Sequence, residues 1–340
     1  MDSMIYETVL RTVINGDDLS REQSHQIFTD LMDGKLTKAQ TAALLVGLEA
    51  KKADINEIAG AAQAMREHAV KIDTAGKDVI DIVGTGGTGI STFNISTTTC
   101  FVVAGAGQPV AKHGSVTNAR ASGSANVLQS LGVHIDLSPS LVTRCLTEAN
   151  LGFCYAPNHH PAMKYVMPVR KQLPIRTVFN ILGPLTNPAD AKRIILGVFD
   201  NRYTEPLAGA LAELGTEKAW VVHASMGLDE IGICGPTRVT ELDAGQLRTF
   251  TISPSDAGLP EGTLDDLRVD SPQASATRCR AILDGTETGA SRDIVLFNAA
   301  AALLVAGQAD DLPSGVALAQ ASIESGAAKG VLDSLITITN

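Results

Sequence analysis

The sequence predicts an α/β protein in which a small all-helical N-terminal domain precedes a larger α/β domain, whose mainly parallel central sheet is flanked by helices. Three observations predict it. Helix-start signals recur through roughly the first 70 residues, strand-like and helix-like segments alternate from Gly76 onward, and a glycine loop stands between the first strand and the helix after it. The division is expected at residues 1–75, helical, and 76–340, α/β, with later helices able to join the first part. A chain of 340 residues with 44% hydrophobic and 19% charged content can bury one large core or two smaller ones.

The helical signals are Ser20-x-x-Gln23, Thr37-x-x-Gln40 and Asp54-x-x-Glu57, in which a side-chain oxygen meets an orphan amide and the Gln or Glu reaches back. Apolar residues at helical spacing follow each: Ile27 and Leu31, then Ala43, Leu44 and Val46, then Ile58, Ala61, Ala62 and Met65. After Gly76, KDVIDIV reads as a strand and NISTTTCFVVAGAG as a helix. PVAK, VHI, GFCYA, RIILGV and AWVVH read as further strands, and residues 122–131, 140–149 and 203–214 as helices. Ser138-Pro139 is a helix start. Residues 251–277, with several Pro, Asp and Ser, are expected to be the least regular part. The apolar run at 294–309 reads as a buried helix of about 14 to 16 residues, too short to span a bilayer. With aromatics at only 4%, the core is expected to be built from Ala, Val, Leu and Ile with closely approaching backbones.

A net charge of −10 argues against broad attachment to nucleic acid or an anionic membrane, since both need a surplus of Lys and Arg. An anionic small ligand would need a local cluster of cations, helix N-termini or metal ions. Cys100, Cys145, Cys154, Cys234 and Cys279 form no CxxC pair and lie in or beside apolar stretches, as reduced, buried thiols do. The opening MDSMIYETVLRTVI lacks a basic segment followed by a long apolar one, so no secretory signal is expected and the location expected is cytoplasmic.

The loop Gly84-Thr85-Gly86-Gly87-Thr88-Gly89 lies where backbone amides can converge on a phosphate. It lacks the GK[ST] ending of a nucleotide P-loop, and by itself it suits a tight structural turn as well as an anion site. Asn94, Ser96 and Thr97 add polar side chains at the next helix start, where they either cap the helix or meet an anion. Lys112-His113-Gly114-Ser115 and Ser122-Gly123-Ser124 follow one strand later, so two helix starts and a Lys would form a pocket for a doubly phosphorylated compound. Adjacent Asp229 and Glu230 are either a solvated acidic pair or magnesium ligands; Gly227 suggests a turn from which both reach one site. Arg170 is either a surface residue beside Lys171 or a fork for a carboxylate, and His113 suits a structural hydrogen-bonding role in the pocket better than that of a base.

DIVGTGG, FNIST, PVAKHG, SGSA, HPAM, PVR, RTVFNILGPLTNPA and GLDE occur here in the order and rough spacing of the anthranilate phosphoribosyltransferases, which the whole chain resembles. GKLTKAQTAALL and EIAGAAQAMRE resemble that family's helical segment. The resemblance implies a helical domain joined to an α/β domain of the nucleoside phosphorylase type, a homodimer formed through the helical domain, and transfer of phosphoribosyl from phosphoribosyl pyrophosphate to anthranilate in tryptophan biosynthesis. It implies that Gly84, Gly86, Gly87, Thr92, Asn94, Ile95, Ser96, Thr97, Lys112 and Ser124 hold the donor, with His113, Gly114 and Ser115 in the same pocket. By the same resemblance Ser96, Asp229 and Glu230 ligate Mg2+, Lys112, Asp229 and Glu230 serve the chemical step, and Arg170 meets the anthranilate carboxylate.

An aniline-like nitrogen is already a neutral nucleophile, so positioning and stabilisation of the departing diphosphate are the main requirements. Four positions depart from the family pattern. Thr88 stands for an acid, Ser115 for a carboxamide, Val116 for a cation, and Ala119 lies in a stretch usually rich in Ser, with Arg120 as the nearest replacement charge. A different aromatic or heterocyclic acceptor, a non-catalytic binding protein on the same fold and a nucleoside phosphorylase are the alternatives.

Overall fold

The computed structural model describes residues 3–116 and 123–340. Ala119, Arg120 and the expected first residue of the helix at Ser122 lie outside them.

Four helices open the chain: α1 (Ser3–Ile14), α2 (Arg21–Met32), α3 (Lys38–Lys51) and α4 (Ile55–Glu67). The last three begin with the capping boxes read from sequence, each closed in both directions: Ser20 with Gln23, Thr37 with Gln40 and Asp54 with Glu57. Such a cap contributes about 1 kcal/mol per helix.

Seven strands follow among the described residues: β1 (Ile80–Gly84), β2 (Val110–Gly114), β3 (Leu151–Tyr155), β4 (Arg193–Gly197), β5 (Lys218–Ala224), β6 (Thr237–Asp243) and β7 (Gln246–Ile252). They form one sheet in the order β3-β2-β1-β4-β5-β6-β7. The first five strands are parallel, and β6 and β7 extend the β5 edge as an antiparallel hairpin. Between β1 and β2 lies α5 (Ile95–Gly105); α6 (Ser124–Ser130) and α7 (Pro139–Ala149) precede β3. Three single-turn helices, α8 (Ala156–His159), α9 (Met167–Arg170) and α10 (Phe179–Leu182), lead to β4, and α11 (Thr204–Glu213) crosses to β5. The chain closes with α12 (Pro272–Leu283), α13 (Ala290–Val305), α14 (Leu312–Glu324) and α15 (Ala327–Thr339).

Side chains alternate across the sheet and sort into two cores. Ile194 and Leu196 of β4, with Ala219 and Val221 of β5, share a core with the first four helices, α10 and α11. Ile195, Trp220 and Val222 point the other way, into a core built with α5, α7 and α12–α15. The helical N-terminal domain is therefore seated on one face of the sheet, its apolar interior continuous with it. The close approach expected from the Ala content is found between α13 and α14, where a Cβ on Gly315 would stand 2.8 Å from the Ala300 Cα.

Several elements differ from expectation. VHI is not a strand: Val133, Ile135 and Leu137 are buried in alternation with exposed neighbours, but β3 occupies the edge beside β2, and the segment lies along α15 instead. There the His134 amide donates to Thr339 Oγ1 and Asn340 Nδ2 donates to the Gly132 carbonyl. The irregular span is shorter than residues 251–277, because α12 starts at Pro272 behind the Ser271 cap. The apolar helix runs from Ala290 to Val305, its start set by Gly289 rather than by the apolar run. The β6–β7 hairpin was not anticipated; its turn carries Ala244 and Gly245 at φ 47° and 80°, and Ala-Gly lacks the Asn or Asp that usually announces such a turn.

Candidate active site

The strand order reverses between β1 and β4: from β1 the chain builds outward through β2 and β3, then returns to β4 and continues through β5. In open α/β sheets the crevice beyond the carboxyl ends at such a switch is where ligands bind. Gly84 and Gly197, the last residues of the two strands, pair across it. Neither has a side chain, and that space is taken by Asp229 from the β5–β6 loop. A Cβ on Gly84 would collide with Asp229 Oδ2 and stand 3.1 Å from its Cγ, and one on Gly197 would overlap the Asp229 backbone. Asp229 is 3% exposed, and its Oδ2 accepts from the Gly86 amide at 2.7 Å. Gly227, at φ +91°, lies in the turn expected there, and Asp229 comes back over the strand ends, with Glu230 half-buried next to it.

The glycine loop is held at three points. The Thr85 amide donates to the Gly197 carbonyl while its Oγ1 accepts from the Phe199 amide, Gly86 meets Asp229, and the Gly87 carbonyl accepts from Arg176 Nη2 at 2.7 Å. Gly86, Gly87 and Gly89 have φ of +70°, +80° and +74°, which Gly adopts without the strain a Cβ would bring. Thr88 Oγ1 accepts from the Ile90 amide at 3.3 Å, and Thr92, buried, bridges to Arg268.

Beyond the loop, α5 points its N-terminus toward the switch. Asn94 is its cap, Oδ1 accepting from the Thr97 amide at 2.9 Å and from Ser96 Oγ at 3.3 Å. Thus Asn94, rather than Ser96 or Thr97, closes the helix, while Ser96 stays half-buried and Ile95 and Thr97 are packed inside. Lys112 is 3% exposed, and its Nζ donates to the Ile82 carbonyl at 2.7 Å and to Ser96 Oγ at 3.3 Å. It places a cation beneath the α5 N-terminus and does not extend into solvent.

Beside Lys112 lies a polar layer missed in the sequence. Asp81 accepts from the His113 amide at 3.1 Å and from Asn187 Nδ2 at 2.7 Å, and Asn187 also donates to the Ala111 carbonyl. Burial pushes the Asp81 carboxyl up to about 6, against the pull of Lys112 and Asn187. Burial, with His160 and His159 nearby, holds His113 well below the ordinary histidine range, and burial brings His160 down to about 4. Their Nε2 atoms lie 3.2 Å apart, the distance of a hydrogen bond between two neutral imidazoles of complementary tautomer. Asn187 lay within the RTVFNILGPLTNPA motif, but only the fold carries it under β1.

Gly114, Ser115 and Ser124 come together at the end of β2. Ser124 Oγ donates to the Ser115 carbonyl at 3.3 Å, and a Cβ on Gly114 would collide with the Ser124 hydroxyl. Val116 is 45% exposed. Arg170, on α9, is half-buried with its guanidinium 5.4 Å from the Phe179 ring, and burial lowers its pKa. It lines an open pocket of about 200 Å³ with Met167, Lys171, Ile175, Thr177 and Asn180. It is not simply a solvated neighbour of Lys171. The pocket is joined to the glycine loop through Arg176, which sequence reading had passed over although it opens the same motif.

Asp229, Glu230 and Ser96, the residues read as metal ligands, offer oxygen donors: two carboxylates and a hydroxyl. Such a donor set, with Asp229 in a cradle that any Cβ would fill, suits a hard divalent cation such as magnesium. All five cysteines are free; four are buried and Cys234 is half-buried. Burial pushes the Cys100 thiol up to about 12, far from a reactive thiolate.

Fold and site define an α/β protein with a glycine loop and a helix N-terminus at the carboxyl ends of its central strands, and a helical domain packed alongside. Residues 76–329 match the glycosyl transferase family's a/b domain and residues 7–69 its helical bundle domain. An anthranilate phosphoribosyltransferase of Rhodopseudomonas palustris strain BisB5 is 48% identical over 334 residues, 98% of each chain. One of Parvibaculum lavamentivorans is 47% identical over 335 residues, again 98% of each. The crystal structure of the Thermus thermophilus anthranilate phosphoribosyltransferase superposes with a TM-score of 0.92 at 38% identity, covering 97% of this chain and 99% of that one. The Saccharomyces cerevisiae enzyme in complex with PRPP and Mg superposes at 0.88 with 28% identity, covering 99% and 98%. The chain belongs to this glycosyl transferase family and, within it, to the anthranilate phosphoribosyltransferases.

Proposed function

We propose that the protein transfers the phosphoribosyl group of phosphoribosyl pyrophosphate to the amino nitrogen of anthranilate, releasing pyrophosphate, as a step of tryptophan biosynthesis. The observation that carries this reading is relatedness over the whole chain: 48% identity across 98% of a curated anthranilate phosphoribosyltransferase.

The residues then divide as follows. The glycine loop at Gly84, Gly86 and Gly87, with Thr92, Asn94, Ile95, Ser96, Thr97 and Ser124, receives the donor at the α5 N-terminus, where the helix dipole favours phosphate. Lys112 strengthens the positive potential there from below, through Ser96. Asp229, Glu230 and Ser96 would hold Mg2+, which offsets the charge of the diphosphate when bound. Arg170 faces the acceptor carboxylate with a planar fork, and His113, Gly114 and Ser115 line the space between the two substrates. The nitrogen needs no strong base, which agrees with neutral, buried His113 and His160 and with thiols that stay protonated. Thr88, Ser115 and Val116 withdraw two charges and a carboxamide from these loops, and they are where a change of acceptor would originate.

The exposed Ile5, Ile14, Val46 and Ile55 on α1, α3 and α4 support a homodimer formed through the helical domain. The division of the chain at residues 75 and 76 belongs to the same proposal, as does a cytoplasmic location; no helix among the described residues is long and apolar enough to cross a membrane.

The test is the loss of anthranilate fluorescence on mixing with phosphoribosyl pyrophosphate and magnesium. A magnesium-dependent loss supports the reading and shows Thr88, Ser115 and Val116 to be tolerated. Absence of loss from folded protein that still binds the donor would instead point to another amine acceptor.

A further inference from the structure

Arg176 is exposed, yet it makes two defined contacts. Its guanidinium lies 4.0 Å from the centre of the Phe199 ring, and its Nη2 donates to the Gly87 carbonyl at 2.7 Å. Phe199 is itself fixed to the loop, because its amide donates to Thr85 Oγ1. Arginine suits this position where lysine does not, since only a planar fork can stack on a ring and aim an N–H sideways at a carbonyl.

The consequence follows from peptide geometry. In a trans peptide the carbonyl of one residue and the amide of the next point in opposite directions. Holding the Gly87 carbonyl toward Arg176 therefore turns the Thr88 amide away from it. Gly87, at φ +80° and exposed, offers that peptide little resistance to turning over. On its other side, Arg176 lies between Ile175 and Thr177, both of which line the pocket of Arg170.

We propose that Arg176 is a positioning residue for the donor: it fixes the Gly87–Thr88 peptide of the glycine loop and ties that loop to the wall of the acceptor pocket. This rests on the transferase reading above, in which the loop receives the diphosphate and the Arg170 pocket receives the acceptor. Arg176 acts through the backbone and touches neither substrate.

The test compares the unaltered protein with Arg176→Ala, Arg176→Lys and Phe199→Leu. Binding of phosphoribosyl pyrophosphate with magnesium is measured by calorimetry, and both Michaelis constants are measured by anthranilate fluorescence. Arg176→Ala is expected to weaken donor binding and raise the donor KM about tenfold, a factor equal to ~1.4 kcal/mol. The acceptor KM at saturating donor should move less than twofold, and the melting temperature should be nearly unchanged. Arg176→Lys should recover part of the loss by restoring a donor to the carbonyl, and Phe199→Leu should show a smaller loss in the same direction. Unchanged donor binding in Arg176→Ala, or equal effects on both substrates, overturns the proposal. If the unaltered protein binds donor but leaves anthranilate untouched, the transferase reading fails while calorimetry still decides the role of Arg176. If it binds no donor, both fail.

Discussion

Replacing Gly84 with Ala tests the site at its tightest point. The added Cβ would collide with Asp229 Oδ2 and stand 3.1 Å from its Cγ and 3.2 Å from its backbone oxygen. Carbon atoms settle at about 3.5–4.0 Å, so the carboxylate has to retreat by roughly 0.5–1 Å. It has little room to do so, because Asp229 is 3% exposed and its backbone is pressed against Gly197 on the neighbouring strand. The retreat breaks the 2.7 Å bond from the Gly86 amide, a contact to a charged group of the kind that contributes about 1.5–3 kcal/mol. Overpacking adds about 1–3 kcal/mol. The melting temperature should therefore fall by several degrees. The larger effect should be on turnover, because a misplacement of about 1 Å in catalytic geometry can lower the rate roughly a hundredfold. The assay is anthranilate fluorescence against magnesium concentration, with thermal unfolding in parallel. A Gly84→Ala protein that keeps its rate and its magnesium dependence within about twofold would show that Asp229 does not serve the metal at this position.

Asp229→Asn combined with Glu230→Gln should keep the protein folded, since Asn still offers an acceptor to the Gly86 amide, while magnesium-dependent turnover falls on the order of a hundredfold or more. Undiminished turnover at limiting magnesium would remove both residues from the metal site. Arg170→Ala should raise the acceptor KM by about ten- to a hundredfold, the equivalent of a lost charge-assisted contact of about 1.5–3 kcal/mol, and leave the donor KM nearly unchanged; equal effects on both would refute a role specific to the acceptor. Buried His160 sits near 4 when folded and near 6.5 when unfolded, so as pH falls from about 6.5 to 4 the unfolded chain takes up a proton that the folded one refuses, and stability is lost. His113 and His159 are depressed in the same sense, while Asp81, raised to about 6, opposes them by gaining its proton in the folded state between about 6 and 3.8. His160→Gln should reduce the slope of unfolding free energy with pH across that window by up to about 1.4 kcal/mol per unit, measured by denaturant titration. An unchanged slope would mean that His160 is protonated in the folded protein.

Local signals were legible where local chemistry decides the outcome. The three capping boxes formed as written, and so did the Ser138-Pro139 start of α7, because each needs only a side chain and an amide within one turn. The glycine loop was legible as a loop, and Gly227 signalled that Asp229 and Glu230 would leave the strand. What misled was extended backbone without a partner. The VHI segment alternates as a strand does, but alternation reports only which side chains are buried, and pairing depends on which edge β3 has taken. Ala-Gly at the β6–β7 turn is silent for a related reason: the neighbouring strands enforce a conformation that the residues do not announce.

By itself the sequence determined the class of fold, the starts of three of the first four helices, the loop that follows β1 and, through its motifs, the family. Hydrogen-bond capping, side-chain period and glycine's backbone freedom act over a few residues and are written in order along the chain. Only the tertiary structure decided that Gly84 meets Gly197, that Asp229 fills the space between them, that Lys112 turns inward to Ile82 and Ser96, and that Arg176 reaches Gly87 from 89 positions away. Those contacts join segments far apart in sequence. Their distances are set by the parallel register of β1 and β4 and by the packing of both cores, which no single stretch of the chain contains.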